Sequence, residues 1–195
     1  MSANAGRRLE ERQRGFVLWM TGLPGSGKST IAALAKKELE EEHGRHVELL
    51  DGDEVRKGLS SDLGLSREDR EEHARRVSYL AKVLARNGVI SIVALISPYR
   101  SSREKAKALI GVQDFVEVYV NATLDTCERR DPKGLYAKAR RGEITNMTGI
   151  QDPYEPPVSP QIMINTDTST PEESTRELIG MLASRLKKEA EQKPR

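Results

Sequence analysis

Apolar and polar positions along this chain follow two rhythms. FVLWMT (16–21), HVELLD (46–51), VISIVALIS (89–97), FVEVYV (115–120) and QIMIN (161–165) are short apolar or alternating runs and predict strands. Four amphipathic stretches lie between or after them. Ile31, Leu34, Ala35 and Leu39 share one helical stripe. Val77, Leu80, Ala81 and Leu84 share another, behind a cap at Ser66 with Asp69 three residues on. Leu178, Ile179, Leu182 and Leu186 form the stripe of the last helix, opened by Thr170-Pro171-Glu172-Glu173. Strands alternating with helices predict an α/β fold: a mostly parallel sheet with helices on both faces, in three layers.

The rhythm breaks over residues 131–160, which hold five of the nine prolines and three glycines and carry no strong apolar stripe. A segment of this length without regular structure reads as a mobile lid, and its Lys and Arg content suits a lid over an anion. Residues 1–14 and 188–195 are charged and poor in apolar side chains, so they read as polar tails or frayed helix ends around a single domain, 15–187. No internal repeat is present.

Composition narrows the class. The chain has 195 residues with 32 basic and 30 acidic side chains, a net charge of +2, too balanced for a protein that coats a nucleic acid polymer or an anionic membrane. The hydrophobic set is 36% of residues, and no apolar run approaches the roughly 18 residues that cross a bilayer. The one cysteine, Cys127, cannot form an intrachain disulfide, and the sequence offers no Cys/His cluster for zinc. A cytoplasmic setting is expected.

Gly22-Leu23-Pro24-Gly25-Ser26-Gly27-Lys28-Ser29 matches G-x-x-x-x-G-K-[ST] in full, directly after a predicted strand and directly before a predicted helix, with Thr30 continuing into that helix. This is the phosphate-binding loop of the P-loop NTPase fold. Its glycines let backbone N–H groups and the helix N-terminus close on phosphate oxygens. Lys28 is expected on the β and γ phosphates and Ser29 on Mg²⁺, so ATP and Mg²⁺ are the expected cofactors. No asparagine is followed by lysine, which removes the guanine-reading signature of GTPase switches. A small kinase remains, and it requires a second site for an acceptor.

Leu50-Asp51-Gly52-Asp53-Glu54-Val55-Arg56 ends the second strand and puts two carboxylates and an arginine at the carboxyl edge of the sheet. Asp53 suits a metal or an attacking hydroxyl, Arg56 an acceptor anion, and Asp51 also reads as a helix cap.

GLPGSGKST, LDGDEVR, ISPYR, FVEVYV, RDPKGLYAKAR and TGIQDPYEPP, in this order over about residues 15–187, resemble the adenylylsulfate (APS) kinase family. The resemblance implies transfer of the ATP γ-phosphate to the 3′-hydroxyl of adenosine 5′-phosphosulfate, giving PAPS for sulfate assimilation. It also implies a homodimer, and an ATP sulfurylase, which this chain is too short to include, as a separate partner. By the same resemblance Asp53 is the acidic residue near metal and acceptor hydroxyl, Arg56 and Arg70 bind the phosphosulfate, and Ile96 and Ser97 line the ribose. Lys133 and Leu135 belong to the acceptor side of the lid, and Arg130 sits where the lid meets the nucleotide. Ser97 matches a serine described as phosphorylated in bacterial members. In-line transfer needs only positioning and charge neutralisation, so Ser97 is expected to position substrate.

The chain departs from the pattern at three places. Leu65 and Met147 stand where family members commonly carry phenylalanines that clamp the acceptor's adenine, which predicts weaker acceptor binding. His73 stands where many relatives have asparagine, on the helical face of Arg70. It reads either as a contact to the acceptor that gains charge below about pH 6.5 or as a surface histidine. These departures keep a related kinase with a different nucleotide or small hydroxylated anion as the alternative. A nucleotide-binding regulatory subunit without turnover is the more distant one.

Overall fold

The computed structural model describes residues 14–191, with side chains through Lys187; residues 1–13 and 192–195, most of the two expected tails, lie outside the described residues. Five parallel strands, β1 (Val17–Thr21), β2 (Val47–Asp51), β3 (Ile90–Ala94), β4 (Phe115–Asn121) and β5 (Ile162–Asn165), form one sheet in the order β2-β3-β1-β4-β5. The described residues contain seven helices: α1 (Lys28–Glu41), α2 (Gly52–Lys57), α3 (Arg67–Ala85), α4 (Arg100–Ile110), α5 (Leu124–Arg130), α6 (Leu135–Arg140) and α7 (Pro171–Glu191).

Successive side chains of a strand point to opposite faces, so the near-continuous apolar run of β1 feeds two cores. Phe16, Leu18 and Met20 pack with Ile31, Ala35 and Leu39 of α1 and Leu178, Ile179 and Leu182 of α7. Val17 and Trp19 face Ala74, Val77 and Ala81 of α3 and Ala106 and Ile110 of α4. Trp19 is fully buried and tilted against Phe115, with ring centroids 5.8 Å apart; truncating it to Ala would cost about 3–5 kcal/mol.

The helix starts follow the expected chemistry. Ser66 Oγ accepts from Asp69 N at 3.1 Å. Thr170 and Glu173 form a reciprocal capping box, with Glu173 N donating to Thr170 Oγ1 and Thr170 N to Glu173 Oε2. The tail boundaries shift slightly. Arg14 is tied to Asp114 by an ion pair at 2.7 Å, and α7 runs on to Glu191.

Two expectations change. The third strand stops at Ala94 instead of Ser97, because Ser97 takes a left-handed φ of 44° and Pro98 follows it. The segment 131–160 is not wholly irregular. It contains α6, whose first amides, Tyr136 N and Ala137 N, donate to the Asp131 carboxylate at 3.1 and 3.0 Å. Tyr136 and Ala139 then build a third apolar cluster with Ala122, Cys127 and Met147. This small core draws its members from three sequence regions, so no single stripe announces it.

Candidate active site

All five strands end at one edge of the sheet, and the loops leaving them form the site. After β1 the chain enters the phosphate loop. A Cβ at Gly22 would lie 2.4 Å from the Val120 carbonyl oxygen, so only glycine lets the loop rest against β4. Gly27, at φ 100°, turns the chain into α1. The rear of the loop is fixed by Thr166 Oγ1, which donates to the Ser26 carbonyl at 2.8 Å, and by Tyr136, whose hydroxyl donates to the Pro24 carbonyl at 2.9 Å. Leu23 packs against the third cluster. Arg130 donates to the Thr166 carbonyl and reaches the Gly25 carbonyl at 3.5 Å, which puts this predicted nucleotide residue at the loop's margin.

Lys28 is 7% exposed, and its ammonium donates to the carbonyls of Gly22 and Leu23 at 2.9 and 2.8 Å. Burial drives its pKa down to about 8, only partly opposed by the fields of Cys127 and Asp51. Next to it, exposed Ser29 donates its hydroxyl to Asp51 Oδ2 at 2.6 Å, while Thr30 lies exposed on the same turn. Asp51 Oδ1 accepts from Asp53 N at 3.0 Å and caps α2. One carboxylate therefore orders α2 and faces the phosphate loop, a double role that the capping signal alone did not reveal.

No group of three or more His, Cys, Asp or Glu side chains among the described residues forms a metal cage. A hydroxyl and a carboxylate 2.6 Å apart nevertheless fit Mg²⁺, which keeps most of its waters and shares phosphate oxygens. Asp53, the second predicted metal ligand, instead makes an ion pair with Lys133.

The predicted anion-binding arginines converge on the loop before α3. Arg56 Nη1 donates to the Gly64 carbonyl at 2.9 Å, and Arg70 Nε donates to the Leu65 carbonyl at 3.0 Å. Arg70 Nη2 also reaches the Asn146 carbonyl at 2.8 Å, joining that loop to the segment before Met147. Partial burial and the neighbouring Arg70 cation lower the proton affinity of Arg56.

His73 is not a surface histidine. It is 5% exposed, neither ring nitrogen has a hydrogen-bond partner, and burial together with Arg56, Arg76 and Arg70 lowers its pKa to about 4. The expected gain of charge near pH 6.5 therefore moves to much lower pH. Leu65 and Met147 occupy unlike environments: Leu65 is 51% exposed, whereas Met147 is 6% exposed within the third cluster. Leu135, at the start of α6, is partly buried against that cluster.

Ile96 and Ser97 follow β3 beside the end of β1. Thr21 Oγ1 donates to the Ile96 carbonyl at 2.7 Å, and Trp19 Nε1 donates to Ser97 Oγ at 3.2 Å. Residues that the sequence did not single out complete this corner. Tyr154 Oη lies 3.0 Å from Thr21 Oγ1, and buried Arg103 binds the Ser97 carbonyl. The signal for Arg103 was its position in the stripe with Ala106 and Ile110, where a charged side chain is buried only when paired.

The family model described as adenylylsulphate kinase matches residues 14–165. The adenylyl-sulfate kinase of Halothermothrix orenii is 52% identical over 170 residues, covering 87% of this chain and 90% of that protein. The structure of the Mycobacterium tuberculosis APS kinase CysC in complex with AMPPNP and APS is similar at a TM-score of 0.82 and 46% identity, over 87% of this chain and 98% of that one. The hexameric APS kinase from Thiobacillus denitrificans is similar at 0.67 and 32% identity, over 89% of this chain and 30% of that longer one. With the phosphate loop, the paired Asp51 and Asp53 and the parallel sheet already in place, these similarities mean that the chain belongs to the adenylylsulphate kinase family.

Proposed function

We propose that this protein transfers the γ-phosphate of ATP to the 3′-hydroxyl of adenosine 5′-phosphosulfate, forming PAPS and ADP. The observation that carries this reading is the arrangement of one cleft mouth, where the Lys28, Ser29 and Asp51 cluster adjoins Asp53 and Lys133. Phosphate oxygens replace the Gly22 and Leu23 carbonyls around the Lys28 ammonium, whose charge stabilises the transferring group. Ser29 and Asp51 would hold Mg²⁺, which would supply charge neutralisation of the phosphates. Asp53, released from Lys133, accepts the proton of the attacking hydroxyl, while Lys133 turns to the acceptor's anion. Arg56 and Arg70 hold the phosphosulfate, and Ile96 and Ser97 position the ribose without a phosphoenzyme. Residues 131–160 act as the lid.

Label transfer from γ-labelled ATP with Mg²⁺ tests this, offering APS beside AMP, ADP, CDP and no acceptor. Label in PAPS alone is expected; label in another product would install the alternative acceptor. The protein is further read as a cytoplasmic homodimer supplied by a separate ATP sulfurylase. The free, buried Cys127 suits a reducing compartment, and the homodimer and the separate sulfurylase follow from the family reading alone. A monomeric sedimentation profile would overturn the dimer.

A further inference from the structure

Ser97 sits in a conformation that its sequence neighbours disfavour. Its φ of 44° is left-handed, unusual for a residue with a Cβ, and Pro98 biases the preceding residue toward extended backbone. Something outside the local sequence must hold it.

Trp19 and Thr21 bond it, and Arg103 of α4, 3% exposed, adds a guanidinium that uses all three nitrogens. Nη1 donates to the Ser97 carbonyl at 2.6 Å, Nη2 to the Glu155 carbonyl at 2.7 Å, and Nε to Glu117 Oε1 at 2.8 Å. Glu117, on β4, supplies the counter-charge for this buried cation. The Glu155 strap is fastened further by Glu155 N donating to the Pro98 carbonyl at 2.9 Å, by Arg100 N donating to Glu155 Oε2 at 2.8 Å and by the Tyr99 hydroxyl donating to Asp152 at 2.9 Å. From Asp152 a bridge to Thr148 leads to Asn146, whose carbonyl takes Arg70. One buried guanidinium thus joins the Ser97 corner to the strap running toward the acceptor-side arginine. The rear of the phosphate loop is fixed by a further set, Thr166, Tyr136 and Arg130, none of which contacts Arg103, while Thr21 at the loop's entry touches the Ser97 corner and Tyr154.

We propose that Arg103 is a positioning residue for the acceptor: it locks the left-handed Ser97 corner and the 152–156 strap into one rigid wall, so that acceptor engagement depends on it and nucleotide engagement does not. This inference rests on the reading that Ser97 and Arg70 face the acceptor. Lysine cannot replace Arg103, because an ammonium does not reproduce the planar three-way fork.

The test is steady-state kinetics of Arg103→Lys with ATP and APS varied separately, beside thermal unfolding. The expected result is a KM for APS raised at least tenfold with the KM for ATP within twofold of wild type. A fall in kcat with both KM values unchanged would mean only a smaller folded fraction and would overturn the proposal, as would unchanged kinetics. If Arg103→Lys does not accumulate folded, Glu117→Gln keeps an oxygen acceptor for Nε but removes the charge. About a threefold rise in the KM for APS alone is then expected, and no rise would overturn the proposal. Wild-type activity on APS, measured alongside, separates the two readings. Active wild type with an indifferent variant sinks Arg103 alone, and inactive wild type sinks the acceptor assignment.

Discussion

Lys133 and Asp53, 80 residues apart in sequence, meet as an ion pair across the cleft mouth. Both side chains are more than half exposed, and such pairs contribute about 0–1 kcal/mol to stability. Lys133→Ala should therefore leave the unfolding temperature nearly unchanged. If Lys133 serves the acceptor, kcat/KM for APS should fall about 100-fold, about 2.7 kcal/mol of transition-state stabilisation. A large loss of stability with unchanged kcat/KM would reverse that assignment.

Lys28 gives nucleotide binding a pH dependence with a defined sign. Its pKa of about 8 lies below the ordinary lysine value because the side chain is buried, and only the protonated form attracts phosphate. Below pH 8 the cation is already present. Above it, binding must take up a proton, so ATP affinity should fall toward about tenfold per pH unit. Titrations at pH 7, 8 and 9 would show this, and equal affinities at pH 7 and 9 would contradict it. Lys28→Ala should abolish transfer at all three.

The two positions expected to clamp a base should respond differently to an added ring. Leu65 is exposed, so Leu65→Phe has room and should tighten APS binding severalfold with little effect on stability. Met147 is enclosed by Cys127, Tyr136 and Ala139, so Met147→Phe overpacks and should destabilise by about 1–3 kcal/mol. Denaturant midpoints and APS dissociation constants for the two variants test both statements. A stable Met147→Phe that binds APS more tightly would mean that the third cluster opens.

His73 should make the fold, and not acceptor binding near neutrality, sensitive to acid. Its folded pKa of about 4 lies below the ordinary value of 6.5, so between these pH values the unfolded chain binds more protons and stability falls as pH falls. Urea midpoints at pH 7 and 5 should therefore differ more for wild type than for His73→Asn, and APS affinity should stay flat between pH 6 and 8. Equal midpoint shifts in the two proteins would remove His73 as the cause.

The sequence alone determined the strands at 16–21, 46–51, 115–120 and 161–165, the three stripes that cover the sheet and the phosphate loop, because each rests on local periodicity, capping or turn chemistry. It also singled out Lys28, Ser29, Asp53 and Arg56, whose residue types in motif spacing point to phosphate chemistry, and Arg70 through the family resemblance alone. Only the tertiary structure decided that Asp51 both caps α2 and takes Ser29, that His73 is buried and neutral, and that Leu65 and Met147 differ. It alone also decided that Arg103 props Ser97. The reason is physical: burial, pKa and backbone strain depend on which distant segments converge. Tyr136, Cys127 and Met147 form a core, and Arg103 reaches Glu117 and Glu155, only after the parallel sheet has brought their segments together.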